Sequence, residues 1–255
     1  MALVDDRTRL ASLLASGAPV TWVMTGDSIT HGLIHTRGAR SYVEHLHELI
    51  RGDLGRVQDI VINTAITGWR AQLILDDFDR RVAAWRPDVV TLMIGTNDCT
   101  TVWLDPIVKA AEFSRSLVEF VSRVRALGAI PVLQTPPTVD LLRAPDRERI
   151  GEFAQAARDV AAAEGALLVD QHAAFSAFAE GTGPGNEGHP WGLLDDAFHP
   201  NADGHAMLAL ELARALGLDA DESRVLTTLR ARVAVARHPR WPPDAVDDGA
   251  ASSPR

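Results

Sequence analysis

Short uninterrupted apolar runs alternate along this chain with longer stretches in which apolar residues recur every three or four positions. Runs at Val20 to Met24, Val57 to Ile62, Val89 to Ile94, Ala129 to Leu133 and Ala166 to Val169 have the length and continuity of strands covered on both faces. Between them the spacing predicts helices from about Ser41 to Ile50, Ala71 to Trp85, Pro106 to Leu127 and Arg147 to Glu164. A short amphipathic helix over 3–16 precedes the first run, and helices from Ala202 to Leu216 and Glu222 to Val235 follow the last. Parallel strands need crossover connections, so this alternation predicts an α/β fold: a three-layer, flavodoxin-like, five-stranded parallel sheet with helices on both faces. In such sheets ligands bind beyond the carboxyl ends of the strands.

The rhythm breaks over 172–195, where Gly181, Gly183, Pro184, Gly185, Gly188 and Pro190 oppose a long regular element. We read this stretch, and 176–194 in particular, as a loop or lid over the site. One domain over 1–236, with its core at about 20–216, fits the length of 255 residues. The Pro- and Ser-containing tail 237–255 has the composition of a disordered terminus.

The strand-end loops carry the chemistry. Gly26-Asp27-Ser28-Ile29-Thr30-His31 follows the first run, so Ser28 sits in a tight glycine turn at a strand end, a place for a nucleophile. A serine hydroxyl needs a base and donors for the oxyanion that forms. His199, in Asp196-Ala197-Phe198-His199-Pro200, is the candidate base, and an acidic neighbour would fix its tautomer. Asp195 and Asp196 both stand near; the three-residue spacing favours Asp196. Gly68 and Asn97 lie in loops after the second and third runs, where turn geometry and helix capping are the simpler roles for them.

These four blocks, GDSIT with Ser28, the loop with Gly68, Gly95-Thr96-Asn97-Asp98, and Asp196-x-x-His199, resemble in content and order those of the SGNH hydrolases of the GDSL esterase/lipase superfamily. The resemblance spans roughly 20–216. It implies Ser28 as nucleophile, His199 and Asp196 as its partners, and an oxyanion hole built from the backbone N–H of Ser28, the backbone N–H of Gly68 and the side-chain amide of Asn97. It implies no cofactor. No Gly-x-Ser-x-Gly surrounds Ser28, so the ordinary α/β-hydrolase elbow is a poorer match.

Composition narrows the partners. A net charge of −9 argues against nucleic acid, and a small-molecule acyl ester fits better. No apolar run approaches a membrane span, none has the make-up of a signal-peptide core, and a single Cys99 gives no disulfide framework, so we expect a cytoplasmic protein. Cys99 is expected to be a small buried hydrophobe, and His205 and the loop carboxylates Asp27 and Asp98 to be structural. His31 and His35 have no third ligand spaced with them, so no metal is expected. Trp69, Trp103 and Trp191 are candidates for the walls of the acyl or alcohol pocket, with core packing as the plain alternative.

The reading is a serine esterase that cleaves a small or medium acyl ester, of an acetylated sugar, lipid or metabolite, through an acyl-enzyme on Ser28. An acyltransferase that tailors a small metabolite, and a catalytically idle ligand-binding module, are its alternatives. The sequence does not speak to oligomeric state.

Overall fold

The computed structural model describes residues 5–102, 106–181 and 191–236, with Trp191 as backbone only. In chain order its main elements are α1 (Asp6–Ala15), β1 (Thr21–Gly26), α2 (Ser28–His31), α3 (Tyr42–Glu48), β2 (Ile60–Asn63), α4 (Ala71–Asp76), α5 (Phe78–Arg81), β3 (Val89–Met93), α6 (Ala110–Ala126), β4 (Ile130–Gln134), α7 (Ile150–Glu164), β5 (Leu167–Val169), α8 (Gln171–Glu180), α9 (Ala202–Ala215) and α10 (Arg224–Ala236). The strands form one parallel sheet in the order β2-β1-β3-β4-β5, the flavodoxin-like arrangement expected from the pattern.

Successive side chains of a strand point to opposite faces, so each apolar run feeds two cores at once. From β1, Trp22 and Met24 pack with α3, α8, α9 and α10, whereas Val23 packs with α4, α6 and α7 on the other side. β3 divides in the same way, Val89 and Met93 to the first core and Val90 and Leu92 to the second. Trp22 is fully buried, and its indole N–H would be costly there without a partner; it donates to Asp59 Oδ2 at 3.1 Å. The same carboxylate accepts from Val20 N (3.1 Å) and Arg56 Nε (2.8 Å), which ties the entry of β1 to the segment before β2.

Several elements differ from their sequence expectation. β2 begins at Ile60, with Val57 exposed in the turn before it, and α7 begins at Ile150 after a 3₁₀ turn at Pro145–Arg147. The 71–85 helix breaks into α4, α5 and a 3₁₀ turn at Ala83–Trp85, because Asp77 and Val82 leave helical geometry (φ −110° and −125°). The helix placed at Pro106 begins at Ala110, where Glu112 Oε2 accepts from Lys109 N at 3.1 Å. The stretch read as a loop from 172 opens with a ten-residue helix, α8; Asp170 caps it by accepting from Ala173 N at 3.1 Å, and it buries Phe175 and Phe178. Leu193 and Leu194, assigned to a lid, are core residues at 0% and 4% exposure. The remainder of that lid, 182–190, and the tail 237–255 lie outside the described residues.

Candidate active site

Ser28 opens α2 immediately after β1, and the local sequence dictates that abrupt strand-to-helix switch. Gly26 has φ +153°, and a Cβ there would lie 2.2 Å from the Met93 carbonyl oxygen of β3, so only glycine fits. Asp27 caps the helix, its Oδ1 accepting from Ile29 N at 3.0 Å. Gly32, at φ +74°, ends the helix after one turn.

His199 and Asp196 arrive on a tight loop between Leu193 and α9. Asp195 N donates to His199 O (2.8 Å) and Asn201 N to Leu193 O (2.8 Å); Asn201 Oδ1 then caps α9, accepting from Asp203 N and Gly204 N. A Cβ at Gly204 would meet the Leu193 carbonyl at 2.2 Å, so α9 is pressed against the loop. In this frame Asp196 Oδ1 accepts from the backbone N–H groups of Phe198 (2.9 Å) and His199 (2.7 Å), and Oδ2 lies 2.7 Å from His199 Nδ1. Burial alone would raise the Asp196 carboxyl. The His199 ring and the two backbone N–H groups outweigh it and hold the group well below the usual carboxylate range. An ionised Asp196 only accepts, so Nδ1 carries the ring proton and Nε2 presents its lone pair to Ser28 Oγ at 2.9 Å. Between the two candidate acids, it is Asp196 that faces His199; Asp195 instead lies 3.1 Å from His35.

Gly68 and Asn97 come to the same end of the sheet. Trp69 N donates to Ile66 O at 3.2 Å, which closes a turn whose third residue is Gly68 at φ +80°, the left-handed value that a type II turn gives to glycine. Asn97 Nδ2 donates to Trp69 O at 3.0 Å, so the Asn97 amide and the Gly68 turn are held as one unit. Beneath them Asp98 Oδ1 accepts from Ala71 N at 3.0 Å and fixes the start of α4. Asp27 and Asp98 are both buried to 1% exposure, and each has an Oδ2 without a hydrogen-bond partner. Burial raises both carboxyls from 3.8 to about 7; the neighbouring Asp98 charge adds to the rise at Asp27.

With this geometry in view, the comparisons with known proteins can be read. The model of the GDSL-like lipase/acylhydrolase family matches residues 24–207, a span that runs from β1 through Ser28, Gly68, Asn97 and His199. The chain belongs to this family. An acetylxylan esterase of Geobacillus stearothermophilus is 26% identical over 225 residues, covering 83% of this chain and 99% of that protein. A solved structure of a catalytic mutant of that esterase, with a serine replaced by alanine, superposes with a TM-score of 0.69 at 25% identity over 82% of this chain and 99% of the other. An alpha/beta hydrolase from the metagenome of Lake Arreo, Spain, gives a TM-score of 0.66 at 27% identity over 80% and 98%. An uncharacterized protein of Mycoplasma pneumoniae is 35% identical over 95 residues, and this chain spans only 11% of its length. The chain is therefore a carboxylic ester hydrolase of the SGNH type.

The other candidates of the GDSL-like chain sort by their surroundings. Trp69 is half-buried against the second core with the Arg81 guanidinium 4.9 Å above its ring. Trp103 and the side chain of Trp191 lie outside the described residues. Cys99 is buried, donates to Thr96 O, and has its thiol pushed up to about 12 by burial, so it carries little thiolate. His205 Nδ1 accepts from Tyr42 N at 3.1 Å, and burial pushes its ring down to about 3.

His35, set aside in the sequence because no third ligand is spaced with it, lies beside the relay. Its ring stacks on His199 with centroids 3.7 Å apart and planes 7° from parallel, although 164 positions separate the two. His35, Asp196 and His199 thereby bring three ligand-type atoms within 4.8 Å of one another, which their spacing in sequence could not reveal. Both Nδ1 atoms lie near the same Asp196 Oδ2, that of His199 at 2.7 Å and that of His35 at 3.8 Å, and His35 Nδ1 has Asp195 Oδ2 as its nearer carboxylate at 3.1 Å. Phe198 and Arg147 were missed: Phe198 lies against His199 at 4.3 Å, with the Arg147 guanidinium 3.7 Å over the Phe198 ring.

Proposed function

We propose that this esterase cleaves small acyl esters, acetylated sugars among them, through an acyl-enzyme on Ser28. The observation that carries the reading is the continuous relay from Asp196 through His199 to Ser28, at 2.7 and 2.9 Å. As Ser28 Oγ attacks the ester carbonyl, its proton passes to His199 Nε2, and Asp196 stabilises the imidazolium that results. The backbone N–H groups of Ser28 and Gly68 and the Asn97 amide receive the oxyanion. Collapse expels the alcohol with the proton from Nε2. Water, deprotonated by the same nitrogen, then attacks the acyl-Ser28 ester and releases the acid.

The acetyl and sugar preference is supported by the acetylxylan esterase, which this chain matches over 99% of that protein's length. The test is a panel of p-nitrophenyl esters of rising acyl length together with acetylated xylo-oligosaccharides, with Ser28→Ala as control. We expect the highest kcat/KM on acetyl esters, and less than a thousandth of it in Ser28→Ala, on the order of the loss seen when a catalytic unit loses its nucleophile. Activity retained in Ser28→Ala would refute the nucleophile; a maximum at long acyl chains would refute the substrate.

A further inference from the structure

The loop after α2 is built at a cost. His35 N donates to Leu33 O at 2.7 Å, closing a three-residue turn around Ile34, whose φ of +67° is that of the rare, strained γ-turn. Ile34 is β-branched, the residue type least suited to that conformation, and its side chain is 82% exposed, so its own packing gives nothing back. Arg37 also has positive φ, +50°. Backbone strain of this kind persists where the surroundings fix it and gathers at working sites. What the strained turn delivers here is the His35 ring, laid flat on His199.

Two contacts hold that ring in place. Asp195 Oδ2 lies 3.1 Å from His35 Nδ1, and Asp195 Oδ1 accepts from Arg37 Nε at 2.6 Å. The Asp195 carboxylate makes Nδ1 the protonated nitrogen of His35. Phe198 also lies against the His199 ring, tilted by 41° at 4.3 Å, with the Arg147 guanidinium over it, itself fixed by Asp146 at 2.7 Å. His199 thus has His35 stacked on it and Phe198 tilted against it, and its side chain is only 13% exposed.

We propose that His35 is a positioning residue for ester cleavage: it closes the outer face of the His199 ring, keeps that ring in the line from Asp196 to Ser28, and offers its π face to the imidazolium formed during acyl transfer. The proposal rests on the reading of His199 as the base. Hydrogen bonds to Asp196 at Nδ1 and to Ser28 at Nε2 fix two points of the ring, and rotation about the line through those nitrogens is limited only by what packs on its face. The His35 ring, nearly parallel at 3.7 Å, opposes that rotation. An aromatic face also attracts a cation stacked on it, so the contact favours His199 as it takes the Ser28 proton. His35 exchanges no proton in this role and touches neither nucleophile nor acyl group.

The experiment is steady-state kinetics on p-nitrophenyl acetate, with fluorophosphonate labelling of Ser28 and thermal melting, for His35→Ala, His35→Phe and Ser28→Ala. We expect His35→Ala to lower kcat by roughly ten- to a hundredfold, the scale of loss when a catalytic group is misplaced. KM should stay near wild type, and labelling should slow in step with kcat. His35→Phe restores a flat face without the Asp195 bond and should recover most of the kcat. Wild-type kcat in His35→Ala, a loss confined to KM, or no recovery in His35→Phe would overturn the proposal. If His35→Ala does not fold, Asp195→Asn carries the test: kcat should fall severalfold at constant KM, and an unchanged kcat overturns it. Activity in Ser28→Ala would instead defeat the underlying reading, so the two failures are distinguishable.

Discussion

Replacing Asp27 by asparagine should make the protein more stable at pH 8 and remove one of two similar contributions, its own and that of Asp98, to the pH dependence of unfolding. Asparagine is nearly isosteric and keeps an oxygen to accept from Ile29 N, so the cap on α2 survives. What it removes is an ionisation that the fold opposes: a carboxyl at 1% exposure, one oxygen without a partner, raised from 3.8 to about 7 by burial and by Asp98. A raised folded value means that the native state holds a proton the unfolded chain has already lost. The group's favourable contribution is complete below 3.8, falls as the pH rises, and is gone once the pH has passed about 7. Each pKa unit corresponds to about 1.4 kcal/mol, so the full effect is on the order of a few kcal/mol. Urea unfolding from pH 5 to pH 8, followed through tryptophan fluorescence, should show wild-type stability declining and Asp27→Asn declining less, the remaining slope coming from Asp98. Parallel curves for the two proteins, or a wild-type curve flat across this range, would refute the argument.

Asn97→Ala should lower kcat by about 10²- to 10³-fold with a smaller change in KM, as expected for a donor that acts on the oxyanion; an effect in KM alone would assign Asn97 to substrate binding. The same variant removes the 3.0 Å tie to Trp69 O, so hydrogen exchange at 66–70 should quicken. Dialysis against a chelator should leave the esterase rate unchanged, because each ring nitrogen turned toward Asp196 or Asp195 is engaged in a hydrogen bond; loss of rate with recovery on adding a divalent ion would show that the His35, Asp196 and His199 cluster binds metal.

Much of this molecule could be read before its structure, for reasons particular to its elements. β1, β3, β4 and β5 were legible as continuous apolar runs bounded by turn residues, the edge strand β2 is half-exposed and was placed three residues too early, and the parallel sheet follows from alternation with helices. Ser28, Gly68, Asn97, Asp196 and His199 were singled out because their four blocks resemble, in content and order, those of the SGNH hydrolases, and the structure brings all five to one end of the sheet. Helix α8 had a signal, Phe175, Phe178 and Ala179 at helical spacing behind Asp170, but the glycines from 181 onward dominated the composition of that window. The division of the 71–85 helix had no comparable signal, since Leu73, Leu75, Phe78, Val82 and Trp85 keep an apolar spacing across the breaks. The stack of His35 on His199 was illegible in principle: it depends on positive φ at Ile34 and Arg37, which neither residue favours. Nor did local spacing show that the guanidinium of Arg147 covers Phe198.

The adjacent pair Asp195-Asp196 offers a sharper separation of roles than any single substitution. Asp196 Oδ2 lies 2.7 Å from His199 Nδ1, whereas His35 Nδ1 is nearer to Asp195 Oδ2, at 3.1 Å, than to Asp196 Oδ2, at 3.8 Å. Asp196→Asn leaves volume and loop geometry in place but presents an amide to His199 Nδ1. The amide N–H favours the tautomer with its proton on Nε2, the wrong nitrogen for receiving the Ser28 proton, and a loss of about 10⁴ in kcat attends the equivalent change in a serine protease triad. Asp195→Asn leaves that tautomer untouched, since the in-plane partner of His199 is intact, and should cost only the severalfold expected from a loosened His35. The two effects should also differ in stability. Asp196 is an ionised group held low by its hydrogen bonds, so its contribution to folding is present above pH 3.8 and is lost as the pH falls toward its depressed folded value. Asp196→Asn should therefore destabilise at pH 7 and blunt the acid sensitivity of unfolding between pH 4 and pH 2. Equal kinetic losses in the two variants would mean that the carboxylates act as one charge cluster on the stacked pair, and the assignment of a separate carboxylate to each ring would fail.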